Sequence, residues 1–161
     1  ARALMKVHPE IQYVEIASCV ASKSIGPGTR INIDEYTQAT KDALIKFAGV
    51  PQAKAIISIN PAEPPITMHN TVYAVVENPR MQEVVNEVEA VETQIREYVP
   101  GYEISLKPVY ENGRLVTIVK VTGAGDFLPK YSGNLDIITA AGIKVAEEFA
   151  KRNFLSAEEL I

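Results

Sequence analysis

Several residue types that define specialised protein classes are scarce in this sequence. One cysteine and two histidines stand among 161 residues, so the chain cannot form an internal disulfide or a zinc site built on cysteines. No apolar run reaches the ~18–20 residues that a membrane-spanning helix needs, and the first residues lack the apolar stretch of a signal peptide. Basic residues number 16 against 20 acidic ones, for a formal charge of −4, which argues against a general nucleic-acid-binding surface. The sequence therefore predicts a cytoplasmic protein with no membrane or nucleic-acid partner.

What the sequence does contain is typical of a globular domain. Apolar residues make up 47% and charged residues 22% of the chain. A chain of this length can bury a hydrophobic core that is stable without disulfides or bound metals. We predict a single domain over residues 1–161. Because the chain starts at Ala1, in what reads as the end of a helix and without an initiator methionine, we also expect it to be a fragment of a longer protein.

Hydrophobic periodicity indicates alternating helices and strands. Helices are predicted at 2–7, 34–48, 80–98 and 134–152, and strands at 12–20, 54–60, 71–77, 103–110 and 114–121, with a capping pattern near Ser156. The strand at 54–60 is a nearly continuous apolar run, which indicates a central strand buried on both faces. Asn112-Gly113 predicts a tight hairpin turn between the last two strands. The predicted fold class is α+β, a mixed or antiparallel sheet with helices mainly on one face.

Three of the predicted helices carry apolar stripes, which are expected to face a core. The stripe residues are Tyr36, Ala39, Ala43, Leu44 and Phe47 in helix 34–48, Met81, Val84, Val85, Val88, Val91 and Ile95 in helix 80–98, and Leu135, Ile138, Ala141, Val145 and Phe149 in helix 134–152. Gly49 suits the position just after the first of these helices, and Asn32 or Asp34 can cap its start.

The segment from Ser22 to Arg30 is the most informative for function. It predicts a loop, punctuated by Gly-Pro-Gly, that brings hydroxyls and a guanidinium to the start of a helix. Such a group of donors suits an anionic or amide-bearing ligand, but it equally suits a tight turn with capping residues. Asn134 leaves the same two possibilities, a helix cap or an amide presented to a ligand.

Isolated reactive residues give weaker indications. Cys19 lies within a predicted strand and is interpreted as a small buried apolar residue. His8 is predicted at a surface turn, and His69 is interpreted as a histidine satisfied by a backbone group. The Gly-Ala-Gly at 123–125 lacks the third glycine and the helix start of a dinucleotide-binding fingerprint, which disfavours a Rossmann interpretation.

Several motifs, taken in order, resemble those of acylating acetaldehyde dehydrogenases. They are Ser22–Tyr36, Asn60–Pro65, Thr71–Tyr73, Tyr98–Tyr102 and Leu128–Ile137. The resemblance covers nearly the whole chain, but it does not include the glycine fingerprint and the Cys-Gly-Gly-Gln segment that precede this domain in the family. It therefore implies a C-terminal dimerisation domain of the semialdehyde-dehydrogenase type, without the N-terminal Rossmann domain and without the nucleophilic cysteine, whose role does not pass to Cys19.

The resemblance implies a two-step reaction in the whole enzyme. A thiolate attacks acetaldehyde, a hydride passes to NAD, and the resulting thioester gives its acyl group to coenzyme A. The cofactor-binding residues that carry over are Ser24, Ile25, Gly26, Pro27, Gly28, Thr29, Arg30, Ile31, Asn32 and Asn134. NAD and coenzyme A both need the absent domain, so we expect the chain alone to be inactive. The resemblance also implies a homodimer formed through the sheet, and in the full enzyme a 4-hydroxy-2-oxovalerate aldolase partner.

One departure from the family concerns the candidate catalytic residues. Members often have Arg-Asp where this chain has His69-Asn70, and that aspartate is implicated in activating the thiol or coenzyme A. An amide cannot accept a proton at neutral pH, so either His69 substitutes as the base, or water or another group does.

Two other functions fit the same sequence. The chain could be a scaffold module that kept the fold and lost catalysis. It could also be a related semialdehyde or acyl-phosphate reductase domain that binds a carboxylate through Lys23 and Arg30, although the Gly-Pro-Gly-Thr-Arg segment fits the acetaldehyde enzymes better.

Overall fold

A computed structural model describes residues 1–154 of the chain. Five strands form one sheet: β1 (Tyr13–Ala21), β2 (Gln52–Asn60), β3 (Met68–Val75), β4 (Tyr102–Glu111) and β5 (Arg114–Val121). The helices are α1 (Arg2–Val7), α2 (Pro27–Ile31), α3 (Ile33–Ala43, continued by a π turn over Leu44–Ala48), α4 (Met81–Arg96) and α5 (Gly133–Phe154). Short 3₁₀ turns lie at Ser22–Ser24 and Lys130–Ser132. The capping pattern near Ser156 falls outside the described residues.

The sheet is mixed, and the α+β class is confirmed. Its strand order is β2-β1-β3-β5-β4, with β1 and β2 parallel and the other neighbours antiparallel. The parallel pair needs a long crossover connection, which α2 and α3 provide. Asn112 and Gly113 have φ angles of 51° and 76°, the left-handed conformation that a type I′ turn requires. The predicted hairpin is therefore correct.

One face of the sheet carries the hydrophobic core. Val14 of β1 and Leu115 of β5 point to this face. They pack in one cluster with Leu4 of α1 and Val84 of α4. All four are at most 2% exposed. Val84 belongs to the apolar face that the sequence indicates for the long helix, so that face is buried as its 3.6-residue periodicity predicts.

A second cluster holds the end of the sheet where β1 and β5 finish. Val20 and Val121 are buried there, and Ile137 and Ala140 of α5 pack against them. These two α5 residues lie in the first two turns of the helix. The beginning of α5 is thus fixed to the same end of the sheet at which β1 finishes.

Within residues 1–154, the helix residues of both hydrophobic clusters pack on one face of the sheet and none packs on the opposite face. Side chains on this face include Tyr13, Cys19, Tyr73 and Lys120, which share it because paired residues in a sheet point the same way. Within residues 1–154, neither packed cluster contains a side chain from this face. We call it the open face of the sheet.

The position of β2 corrects the prediction of a central strand buried on both faces. β3 pairs with the other side of β1, so β2 remains at the edge of the sheet. Ile56 points to the open face and is 38% exposed, whereas Ala53 points to the core and is buried. The apolar run reflects a strand whose second face is left uncovered by residues 1–154.

The predicted stripes of α3 and α5 are also largely uncovered, contrary to expectation. In α5, Ile138, Val145 and Phe149 are 69%, 70% and 63% exposed, because the helix meets the sheet through a different side, which carries Ile137 and Ala140. In the π turn after α3, Leu44 is buried but Phe47 is 71% exposed. Apolar periodicity predicted the helices correctly but not which side of each would be covered.

His8 is buried, which corrects its predicted place at a surface turn. The ring is 2% exposed. Its Nε2 accepts a hydrogen bond from the Arg80 backbone N–H at 3.0 Å, and its Nδ1 lies 2.6 Å from Glu10 Oε1. A neutral ring with hydrogen on Nδ1 satisfies both contacts. The hydrogen bond with His8 holds the pKa of the Glu10 carboxyl below its usual range. The histidine therefore connects the end of α1 to the start of α4.

Candidate functional site

The candidate residues gather at the end of the sheet where β1, β2 and β5 finish and β3 begins. Ala21 pairs with Asn60 there, and Met68 pairs with Val121. The turn at Ser22–Ser24 follows β1 directly. The start of α5 lies beside it, because Ile137 packs on the same end of the sheet.

The segment after β1 is more regular than the predicted loop. Pro27 opens the short helix α2, where its fixed φ suits the first helical position. Arg30 Nη2 donates to the backbone oxygen and to Oγ of Ser22, at 2.7 and 2.8 Å. The guanidinium thus links Arg30, at the end of the segment, to Ser22 at its start. The predicted loop is wrong over Pro27–Arg30, because a proline start and this internal cross-link favour a helical turn.

Asn32 also differs from expectation. It precedes α3, but its side chain makes no capping hydrogen bond to that helix. Instead its Nδ2 donates backwards to the Gly28 backbone oxygen at 3.1 Å. The amide therefore closes α2 rather than capping α3.

The middle of the segment presents backbone to solvent. A Cβ built on Gly26 or Gly28 would meet no atom within 4 Å, and Ile31 is 81% exposed. Ile25, in contrast, packs against the cluster at the end of the sheet. The segment is fixed at its base and open at its outer surface, an arrangement that gives another molecule access to its backbone.

Asn134 joins this segment to α5. Its Nδ2 donates to the Ser24 backbone oxygen at 3.2 Å, and Ser24 Oγ donates to the Ala21 oxygen at 2.9 Å. Asn134 Oδ1 is buried and has no hydrogen-bond partner. A buried carbonyl oxygen without a donor costs about 1–3 kcal/mol, so this atom marks a place where a donor from another group would be stabilising.

His69 and Asn70 lie on opposite faces of β3. His69 pairs with Cys19 and Lys120 and shares the open face with them; its Nδ1 is 3.3 Å from the Thr67 backbone oxygen. Asn70 pairs with Ser18 on the helix-covered face, and its Oδ1 is buried without a partner. The structure therefore does not bring the two candidate catalytic side chains together. Only Asn70 is on the side of the sheet that carries α5.

One ion pair lies beside the site. Lys23 Nζ lies 2.5 Å from Glu63 Oε1, and that carboxylate raises the pKa of the Lys23 ammonium. Tyr102, at the same end of the sheet, has a pKa raised to about 12, chiefly because burial disfavours the phenolate and also because of Glu92 and Tyr98. Within residues 1–154 there is no group of three or more His, Cys, Asp or Glu that could hold a metal ion.

Sequence reasoning missed one feature of this site, the close approach of α5 to β5. A Cβ built on Gly133 would lie 2.2 Å from the Val121 backbone oxygen, so only glycine fits at the start of the helix. The available signal was a glycine directly before the candidate residue Asn134. Among the described helices, none has the length and apolarity to cross a bilayer.

A comparison with family models identifies the family of this chain, and one solved structure shows a partial likeness. The fold resembles that of aspartate semialdehyde dehydrogenase II from Vibrio cholerae, with a TM-score of 0.47 and 11% identity, over 95% of this chain and 55% of that one. The family model described as prokaryotic acetaldehyde dehydrogenase, dimerisation, matches residues 1–129. The chain belongs to this family of acetaldehyde dehydrogenase dimerisation domains.

The curated relatives are longer proteins. Acetaldehyde dehydrogenase of Geobacillus stearothermophilus is 52% identical over 151 residues, which are 92% of this chain and 51% of the relative. Acetaldehyde dehydrogenase of Pectobacterium atrosepticum is 48% identical over 147 residues, 91% of this chain and 50% of the relative. This chain thus spans about half the length of the curated relatives it matches.

Proposed function

We propose that this chain is the C-terminal, dimer-forming half of an NAD-dependent acylating acetaldehyde dehydrogenase, which converts acetaldehyde, coenzyme A and NAD to acetyl-coenzyme A and NADH. The observation that carries the proposal is the hydrogen bond between Asn134 and Ser24, because it joins the two segments that resemble cofactor-binding segments of the family. This chain alone would not catalyse the reaction. The nucleophilic cysteine and the rest of the NAD site belong to the other half of the enzyme.

The residues present fit a nicotinamide cofactor. Asn134 Oδ1 is a buried acceptor without a donor, and an N–H group such as that of a carboxamide would satisfy it. The exposed backbone around Gly26 and Gly28 lets a ligand approach closely. NAD, when bound, would accept the hydride of the aldehyde. The part of this chain would be to hold the cofactor through residues Ser24–Asn32 and Asn134.

Asn70 would take the place of the family aspartate in the same site. Its buried Oδ1 can accept a hydrogen bond but cannot remove a proton at neutral pH. It would therefore orient a thiol rather than deprotonate it. His69 points to the open face of the sheet, which argues against the interpretation that it replaces the aspartate as a base.

The open face of the sheet would form the interface with a second copy of the chain. The description of the matched family as a dimerisation domain supports this assignment. Ile56, Val75 and Val109 are 38%, 49% and 39% exposed on that face, and a second copy seated there would bury them. A 4-hydroxy-2-oxovalerate aldolase would be a further partner of the whole enzyme, as the resemblance implies.

A chimeric enzyme tests the proposed function directly. The half of the Geobacillus stearothermophilus relative that this chain does not match would be joined to this chain, and NADH formation measured with acetaldehyde and coenzyme A. We expect turnover by the chimera, and none by the isolated chain. A Cys19→Ala variant of the chimera should keep its activity, because the nucleophile lies in the other half. Robust turnover by the isolated chain, or loss of activity with Cys19→Ala, would contradict the proposal.

A further inference from the structure

α5 is held to the rest of the molecule mainly by its first turns. Ile137 and Ala140 pack on the end of the sheet, whereas Val145 and Phe149 further along are mostly exposed. The position of Asn134, in the first turn, therefore depends on a small number of contacts at the beginning of the helix. Gly133 provides one of them through its close approach to β5.

The Asp136 carboxylate provides another contact. Its Oδ2 accepts a hydrogen bond from the Ala124 backbone N–H at 2.8 Å. A Cβ built on Gly123 would lie 2.6 Å from the same oxygen, so the carboxylate reaches the backbone because residue 123 has no side chain. The charge also lies in the first turn of α5, where a negative group is favourable.

The same backbone segment is fixed at its other side. The Gly123 N–H donates to the Lys130 oxygen at 2.8 Å, which closes the loop between β5 and α5. Among the described residues, Asp136 takes part in no ion pair. Its hydrogen bond to Ala124 is therefore a direct side-chain contact between this closed loop and the helix carrying Asn134.

We propose that Asp136 is a positioning residue for the cofactor site: its bond to the Ala124 N–H sets the place of the first turn of α5, and through it the Asn134 amide opposite the Ser24 carbonyl. The inference rests on the proposed function, since it assigns the cofactor to that amide. Asp136 itself does not contact the cofactor. Its effect passes through the helix to a side chain two residues earlier.

The first test uses the isolated chain and no ligand. Asp136→Ala removes the acceptor, and Asp136→Asn keeps an oxygen that can accept while it removes the charge. By nuclear magnetic resonance, we expect exchange of the Ala124 amide hydrogen to quicken about tenfold or more in Asp136→Ala, with a shift of the Asn134 side-chain amide signals. Asp136→Asn should show a smaller change. Asp126→Ala, in the exposed part of the same loop, is the matched control and should leave both signals in place.

The second test uses the chimera described above. We expect Asp136→Ala to raise KM for NAD about tenfold while kcat changes less, with partial recovery in Asp136→Asn. A merely structural role would lower the amount of folded enzyme and leave KM unchanged. Unaltered Asn134 signals in the isolated chain, or a KM equal to that of Asp126→Ala, would overturn the inference. A chimera without any turnover would instead refute the proposed function, and the resonance measurements would still decide whether Asp136 positions Asn134.

Discussion

Replacing His8 with alanine should destabilise the chain strongly. The substitution removes a buried ring and leaves the Arg80 N–H, now bonded to His8 Nε2 at 3.0 Å, without its acceptor. The contact is part-buried, so loss of its acceptor costs about 1–2 kcal/mol, and the cavity left by the buried ring adds about 1–2 kcal/mol. The expected loss of unfolding free energy is therefore about 2–4 kcal/mol. The whole free energy of unfolding of a domain is only ~5–15 kcal/mol.

Urea unfolding followed by circular dichroism measures this loss. The matched control is His69→Ala, because that ring has one long contact, 3.3 Å from Nδ1 to the Thr67 oxygen. We expect the control to lose less than about 1 kcal/mol. A His8→Ala variant within about 0.5 kcal/mol of the unmodified chain would refute the reasoning that this histidine connects α1 to α4.

Three further outcomes are expected. Gly101→Ala should destabilise the fold by about 2 kcal/mol or more in urea unfolding, because the added Cβ would lie 1.8 Å from the Thr122 backbone oxygen. Its control, Gly142→Ala in α5, places the Cβ in open space and should be neutral or stabilising. Equal effects of the two variants would contradict this expectation. The pKa of Tyr102 is raised to about 12 from an ordinary value of 10. The neutral phenol therefore contributes about 2–3 kcal/mol to stability below pH 10, and this contribution is lost as pH rises through 12. Tyr102→Phe should remove that alkaline loss from unfolding curves. Val75→Glu on the open face should convert the dimer to a monomer in light scattering, while Thr93→Glu on the exposed side of α4 should not; a Val75→Glu dimer would refute the assigned interface.

The sequence was sufficient where local chemistry determines local structure. Asn112-Gly113 can adopt the left-handed conformation of a tight hairpin at little cost, and the structure shows this turn. The apolar face of α4 has a periodicity that matches its burial, with Val84 and Val88 buried. These features depend on neighbours within a few residues, so they could be predicted.

The sequence was insufficient where burial depends on distant partners. The apolar run of β2 predicts a strand, but nothing in it indicates whether the next strand adds beside it or on the far side of β1. His8 was misplaced for the same reason, since its acceptor role depends on the Arg80 backbone, 72 residues away. The donors of Arg30, expected to face a ligand, are partly used by Ser22 within the same segment.

The candidate site was predicted correctly in one respect and incompletely in another. The family motifs predicted the segments around Ser24 and Asn134, which lie 110 residues apart in sequence and are joined by a hydrogen bond. Motifs alone did not show that His69 and Asn70 would face opposite sides of β3. Strand alternation could have suggested that separation, because neighbouring residues in a strand point to opposite faces.

The equilibrium dissociation constant of NAD, measured by calorimetry on the chimera and on this chain alone, tests the central claim most directly. If the end of the sheet supplies one side of a cofactor site and the other half of the enzyme supplies the rest, the chimera should bind NAD. The isolated chain should show no measurable binding, and Asn134→Ala should weaken binding by the chimera about tenfold. Binding by the isolated chain as tight as that of the chimera, or an Asn134→Ala chimera with unchanged affinity, would contradict the claim.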